Sequence, residues 1–260
     1  AAEVSIGQTD SQSIEGGLVF SNADLGAVAG GDLRLRSRGL IDIYGDLADP
    51  TSGAPLDFGT LTLDAQGIRG LANGDTTTVL AAETIRLGNS SGGTAADAGA
   101  AAQSGSTIRL QATKALELGD GSLAIQGYDA TLMNAGTSLV FTGDSGLKVD
   151  GELSIDAPVI TAGQATTSSL LATGRLAVSG GDPAASVPTA AGLGARLTMS
   201  AADIDFGGRI VLPSGTVRLV QTGDPATPVQ GNNLRVAGNA AIDVAGDTLV
   251  FGPKQVGKPG

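Results

Sequence analysis

The chain has no cysteine and no histidine. Without thiols there are no disulfide staples, no thiolate catalysis and no cysteine-ligated zinc. Without imidazole the commonest general base, the commonest metal ligand and any Ser-His-Asp triad are gone as well. Tryptophan is missing too, and 5 Phe and 2 Tyr make up the whole aromatic complement. With 41 glycines in 260 residues, the interior must be filled almost wholly by Leu, Ile, Val and Ala. That suits a narrow lumen with many turns better than a globule built around aromatic anchors. Basic residues are scarce: the net charge is −11 and the sequence pI about 4.3. This speaks against a nucleic-acid partner, which needs clustered Lys and Arg for counterion release. No run approaches the roughly 18 apolar residues that span a bilayer, so no transmembrane segment is expected. Ala1 to Ser13 lacks a basic start followed by an apolar stretch, so any export signal is expected outside this segment.

What the chain has is alternation. In GDLRLRSRGLIDIYGDL, Gly31 to Leu47, Leu33 and Leu35 share one side of a strand while Arg34 and Arg36 share the other. After Ser37-Arg38-Gly39 the aliphatic run resumes at Leu40, Ile41 and Ile43. Two half-buried strands joined by so few residues leave no room for a helix between them.

Repeats carry the organisation further. Thr84-Ile85-Arg86-Leu87 returns as Thr107-Ile108-Arg109-Leu110, and a looser unit recurs at residues 61–71, 108–121, 153–163, 197–208 and 234–246. Strand starts at Leu116, Leu123, Leu132, Leu139, Leu147, Leu153 and Val159 group in threes, giving a lap of about 22–23 residues. The fold expected is all-β: a right-handed parallel β-helix (β-solenoid) in which each lap adds one short strand to each of three parallel sheets. Roughly eleven laps at about 4.8 Å would make a rod on the order of 50 Å long. The rival, an antiparallel sandwich or barrel, needs many Asn-Gly or Asp-Gly hairpins. Only Asn73-Gly74, Asp120-Gly121 and Asp150-Gly151 are present.

The rhythm breaks at Asp49 to Pro55, Gly88 to Ser106, Gly180 to Arg196 and Gln221 to Asn233, which are expected to leave the coil as loops. Residues 1–17 read as a polar N-terminal segment or cap, 18–251 as the β-helix domain and 252–260 as a flexible tail after Pro253.

The stretches GDLRLRSRGLIDIYGDL, LTLDAQGI, LSIDAPVITAG and LTMSAADIDF resemble the degenerate repeats of filamentous-haemagglutinin-type exoproteins of Gram-negative bacteria, exported by two-partner secretion. The likeness runs from about Leu18 to Phe251. It is shared with pertactin-like autotransporter passengers, and the asparagine-rich amino-terminal secretion motifs of the family are not present. The resemblance implies a secreted or outer-surface rod that is adhesive or carries a distal effector. It also implies a secretion partner in the outer membrane and a receptor or glycan on a host or neighbouring cell.

Two sets of side chains are candidates for chemistry. Pectate-lyase-like enzymes share this fold and use outward carboxylates to hold calcium; Asp203 and Asp205 alternate on one strand, and Asp42 with Asp46 is a second pair. Paired outward acids are equally what a soluble strand needs, and the reading favoured here is not an enzyme. Arg34, Arg86, Arg109, Arg218 and Arg235 each sit between aliphatics, and Arg86 and Arg109 stand one lap apart in sequence. If laps align, these would form a basic column able to contact sulfated glycans. Charge on outward faces also discourages sheet aggregation. Asp120-Gly121-Ser122 and Gly143-Asp144-Ser145 are like calcium turns, but the nonapeptide calcium repeat and the GxxxxGK[ST] phosphate loop are absent, so no cofactor is expected.

Overall fold

In Glu152–Asp156 the side chains of Leu153 and Ile155 are buried while Ser154 faces out, and the same alternation of dry and wet sides builds strand after strand. The computed structural model describes residues 3–7, 17–71, 75–95, 103–189, 191–223, 233–246, 248–251 and 254–257. It is all-β with parallel sheets.

One sheet has 9 strands, in the order Leu18–Ser21, Val4–Gly7, Leu40–Tyr44, Gly67–Leu71, Gly121–Gln126, Ser145–Val149, Thr167–Ala172, Arg196–Ala201 and Thr216–Gln221. The other has 13 strands and two limbs, because the long strands Asp57–Asp64, Thr77–Gly88 and Gln103–Leu118 run through both. Gln103–Leu118 pairs through Thr107–Ala112 with Tyr128–Ala135, and through Ala115–Leu118 with Ser138–Phe141.

In sequence the chain visits the 9-stranded face and then each limb in turn. Ser145–Val149 is followed by Glu152–Asp156 and Ile160–Ala162, and Thr167–Ala172 then returns to the first face. The return is in register, with Leu147 between Leu123 and Leu170. The Ser145 and Ser168 hydroxyls, 23 residues apart, hydrogen-bond at 3.2 Å.

Register turns the alternation into columns of like side chains inside. Leu123, Leu147, Leu170, Met199 and Leu219 stack on the first face. Leu110, Met133, Ile155, Val178, Phe206 and Val236 stack on one limb of the second sheet. Ile85, Leu116, Leu139, Ile160, Ile210 and Ile242 stack on the other. These aliphatics form one continuous core. The two columns on the second sheet end in exposed side chains at Val236 and Ile242, which no later described strand covers.

Where a loop replaces a strand, the ladder closes over the gap. Between Gly88 and Ser106 no described residue adds to the first face, and Gly67–Leu71 pairs directly with Gly121–Gln126. Between Gly180 and Arg196 no described residue adds to the second limb. There Ile160–Ala162 pairs with Arg209–Val211, and Thr161 donates its hydroxyl to the Val211 carbonyl 50 residues on. Arg209 pins this loop, its Nη1 donating to the carbonyls of Asp182 at 3.0 Å and Ala185 at 2.8 Å. Asp49 to Pro55 closes as a turn in which the Asp49 carboxylate accepts from the Thr51 and Ser52 N–H groups. Most of Gln221 to Asn233 lies outside the described residues.

The repeat reading is corrected, and three local features add to the rest. The Thr-Ile-Arg-Leu repeat is not a lap: Thr84–Leu87 pairs with Ala115–Leu118 on one limb, whereas Thr107–Leu110 pairs with Thr77–Leu80 on the other. The loop after Gly88 shifts the phase, so a 23-residue spacing that elsewhere joins neighbouring strands, as from Ser145 to Ser168, spans two different limbs here. Within 1–17, read as polar, Val4–Gly7 is a strand inside the first sheet, and Val4 and Ile6 are buried. Val4 and Ile6 do alternate with Ser5, but in a stretch that is otherwise mostly polar. Lys254–Gly257, read as part of a tail, pairs antiparallel with Thr248–Phe251. Asn22–Gly26 is a one-turn helix with a capping box between Ser21 and Asp24, and its Leu25 joins the core.

Candidate functional site

The outward side chains take their partners from register. Asp203 and Asp205 do share the outward side of Asp203–Phe206, as the alternation requires. Arg175, opposite Asp203 on the preceding strand, reaches Asp205 Oδ2 at 2.9 Å and Asp203 Oδ2 at 3.9 Å. Arg235, opposite Asp205 on the following strand, lies 3.9 Å from it. The Asn233 N–H fills Asp203 Oδ1 at 3.0 Å. These groups line a recess of about 190 Å³ in which both carboxylates already face guanidinium groups. Among the described residues no three Asp or Glu side chains converge as metal ligands would.

Asp42 belongs to a different arrangement. It is buried on the outward side of Leu40–Tyr44, and Arg69, its register partner, donates to both of its oxygens, Nε to Oδ1 at 2.8 Å and Nη2 to Oδ2 at 2.7 Å. The bonds to Asp42 raise the pKa of Arg69 further; burial raises that of the neighbouring Tyr44 phenol, helped by the charge on Asp42. The Asp46 carbonyl accepts from Asn22 Nδ2 at 3.1 Å.

The arginines do not form one column. Arg86 stands between Thr62 and Glu117, and its Nε donates to Glu117 Oε2 at 2.7 Å. Arg109 stands on the other limb between Val79 and Leu132. It has no ion-pair partner among the described residues and lines an open recess of about 500 Å³ with Gln111, Asn134 and Asp156. Arg218 faces Thr198 on the first sheet. The two candidate glycan contacts, Arg86 and Arg109, are therefore on separate surfaces.

The structure instead brings together Arg34, Arg36 and Arg38, which alternate along the strand Leu33–Arg36 and its exit. Asp64, directly opposite Arg36, lies 3.4 Å from Arg36 Nε and 3.3 Å from Arg34 Nη2. It also accepts from the Ser90 N–H at 2.8 Å and the Ser90 hydroxyl at 2.7 Å. Burial alone would raise its pKa, but the Ser90 bonds and the two guanidinium groups outweigh that and hold it below the ordinary carboxylate value. On one side of Asp64 lies a recess of about 200 Å³ containing Arg34, Arg86, Glu117 and Asp120. At the corner beyond Arg36 lies a larger one, about 550 Å³, lined by Arg36, Ser37, Arg38, Gln66 and Ser91. Sequence reasoning missed Arg36, Arg38, Gln66 and Ser91. The signal available was the alternating triplet of arginines in LRLRSR, in a chain otherwise poor in positive charge.

Searches against family models, curated proteins and solved structures found no match.

Proposed function

We propose that this chain is a segment of a right-handed parallel β-helix with about 22–23 residues per lap, serving as a structural or adhesive rod in a bacterial surface-exposed or secreted exoprotein. The observation that carries this reading is the register. Columns such as Leu123, Leu147, Leu170, Met199 and Leu219 repeat the same inward position from strand to strand, the pattern a coil of stacked laps requires. At about 4.8 Å per strand, the 9-stranded face would be about 40 Å long.

Such a rod offers its side wall rather than a deep cleft. Several charged groups on that wall are paired from strand to strand, as in Arg86 with Glu117 and Arg175 with Asp205, which stiffens it and discourages sheet-on-sheet aggregation. The resemblance to filamentous-haemagglutinin-type repeats supports export by two-partner secretion through an outer-membrane partner and a place on the Gram-negative cell surface. Attachment would be to a receptor or glycan on a host or neighbouring cell.

Small-angle scattering and a glycan array, run beside lyase and hydrolase assays on the bound polysaccharides, test the proposal. An elongated particle that retains a glycan without cutting it is the expected result. A globular particle sinks the rod, and cleavage of the polysaccharide replaces adhesion with an enzyme working through outward carboxylates such as Asp203 and Asp205.

A further inference from the structure

We propose that the corner recess lined by Arg36, Arg38, Gln66 and Ser91 binds an oxyanion carried on a hydroxyl-rich ligand, an acidic sugar. In a molecule with a net charge of −11, no carboxylate among the described residues lines this recess. Asp64 stands behind it with four donors already aimed at it: Arg34, Arg36, and the N–H and hydroxyl of Ser90. Its single charge is shared between two guanidinium groups, and Arg38 has no acidic partner among the described residues. Of the two arginines that line the recess, only Arg36 has an acidic partner among the described residues, so surplus positive charge faces it.

The walls are fixed before any ligand arrives. Leu35 anchors Arg36 from inside, and the buried Ser37 holds the next corner by accepting from the Gly39 N–H at 3.1 Å. The Gln66 N–H donates to the Gly39 carbonyl at 2.9 Å, which stitches the second wall to the first. Ser91 donates to Oδ1 of the buried Asn89 at 2.6 Å, and Asn89 in turn donates to the carbonyls of Gly93 and Ser122 at 2.6 Å. Preorganised donors lose little freedom on binding.

Guanidinium forks match the two oxygens of a carboxylate or sulfate; the Gln66 amide can donate to and accept from ring hydroxyls, and the Ser91 oxygen, its proton committed to Asn89, can accept from one. A recess of about 550 Å³ has room for one or two sugar units. The choice of a sugar as the carrier rests on the adhesive reading above; the oxyanion site does not.

The test is calorimetric titration of the 260-residue chain with glucuronate, glucose 6-sulfate, glucose and inorganic sulfate. Glucuronate, the sulfated sugar or both are expected to bind, glucose is not, and Arg38→Gln should weaken binding by about tenfold or more. Arg109→Gln, in a separate recess, should leave it unchanged. Which charged sugar binds more tightly tells a carboxylate from a sulfate ligand. The proposal is overturned if none of the four binds, if glucose binds as well as its charged relatives, if inorganic sulfate binds as tightly as either sugar, or if Arg38→Gln and Arg109→Gln act alike. An array-positive protein indifferent to Arg38→Gln would refute the recess and leave adhesion standing. Glucuronate binding that depends on Arg38 in an array-negative protein would do the reverse.

Discussion

Arg69 engages both carboxylate oxygens of Asp42 from the next strand, and the pair lies in a covered stripe, with Ser5 opposite Asp42 on one side and Gln126 opposite Arg69 on the other. Asp42 is 5% exposed, so its charge depends on this one cation. Arg69→Met would leave a buried, unpaired carboxylate and should cost about 3 kcal/mol or more. Asp42→Val combined with Arg69→Met removes both charges and should recover much of that loss. Urea midpoints for wild type, the single and the double variant check this. A single variant as stable as wild type would contradict the pairing.

Thr131 is an interior polar defect. In register between Ile108 and Leu153, it is fully buried, and its hydroxyl has no hydrogen-bond partner among the described residues. An unmet buried hydroxyl costs about 1–3 kcal/mol, and valine keeps the shape without the oxygen. Thr131→Val should therefore raise the urea midpoint by an amount equivalent to about 1 kcal/mol. A lowered midpoint would mean that the hydroxyl has a role no contact here explains.

The inward pattern was open to reading because burial constrains size and side at every second residue. Leu153 with Ile155 and Ile204 with Phe206 announce their strands unaided, and the spacing of Leu147 to Leu170 is one lap. What escaped was whatever register alone decides. Nothing near Asp64 in sequence points to Ser90 or Arg34, which lie 26 and 30 residues away against the 23 that separate Ser145 from Ser168. The loop after Gly88 made two identical tetrapeptides look like neighbours when they face different ways. The corner recess was hidden for that reason too: Arg36 and Arg38 come from one strand's exit, but Gln66 and Ser91 are brought beside them only by stacking.

Asp64 gives stability a dependence on acid. Its folded pKa lies below the ordinary carboxylate value, so it stabilises the fold at pH values above that ordinary value, and this contribution fades as pH falls through the folded pKa. Asp64→Asn should lower stability at neutral pH by about 1–2 kcal/mol through weakened bonds to Ser90 and the two arginines. The difference between variant and wild type should then shrink below about pH 4. Urea midpoints measured from pH 7 down to pH 2 read this directly. A gap that widens toward acid would reverse the sign and exclude Asp64 as its source.

Gly151 turns the chain from the first face to the second at φ +97°, with the carbonyl oxygens of Asp129 and Tyr128 against the side where a Cβ would stand. Gly30 has a similar positive φ of +79° but open space around that position. Both substitutions to alanine carry the left-handed backbone penalty, about 1–2 kcal/mol. Only Gly151→Ala also pushes two backbone segments apart, since the oxygens it meets belong to the backbone of Tyr128 and Asp129. Gly151→Ala should accordingly destabilise the fold clearly more than Gly30→Ala, and the excess measures how closely the corners stack. Equal losses in the two variants, read as urea midpoints, would mean that the corner relaxes and that lap spacing there is looser than the Asp129 and Gly151 backbones indicate.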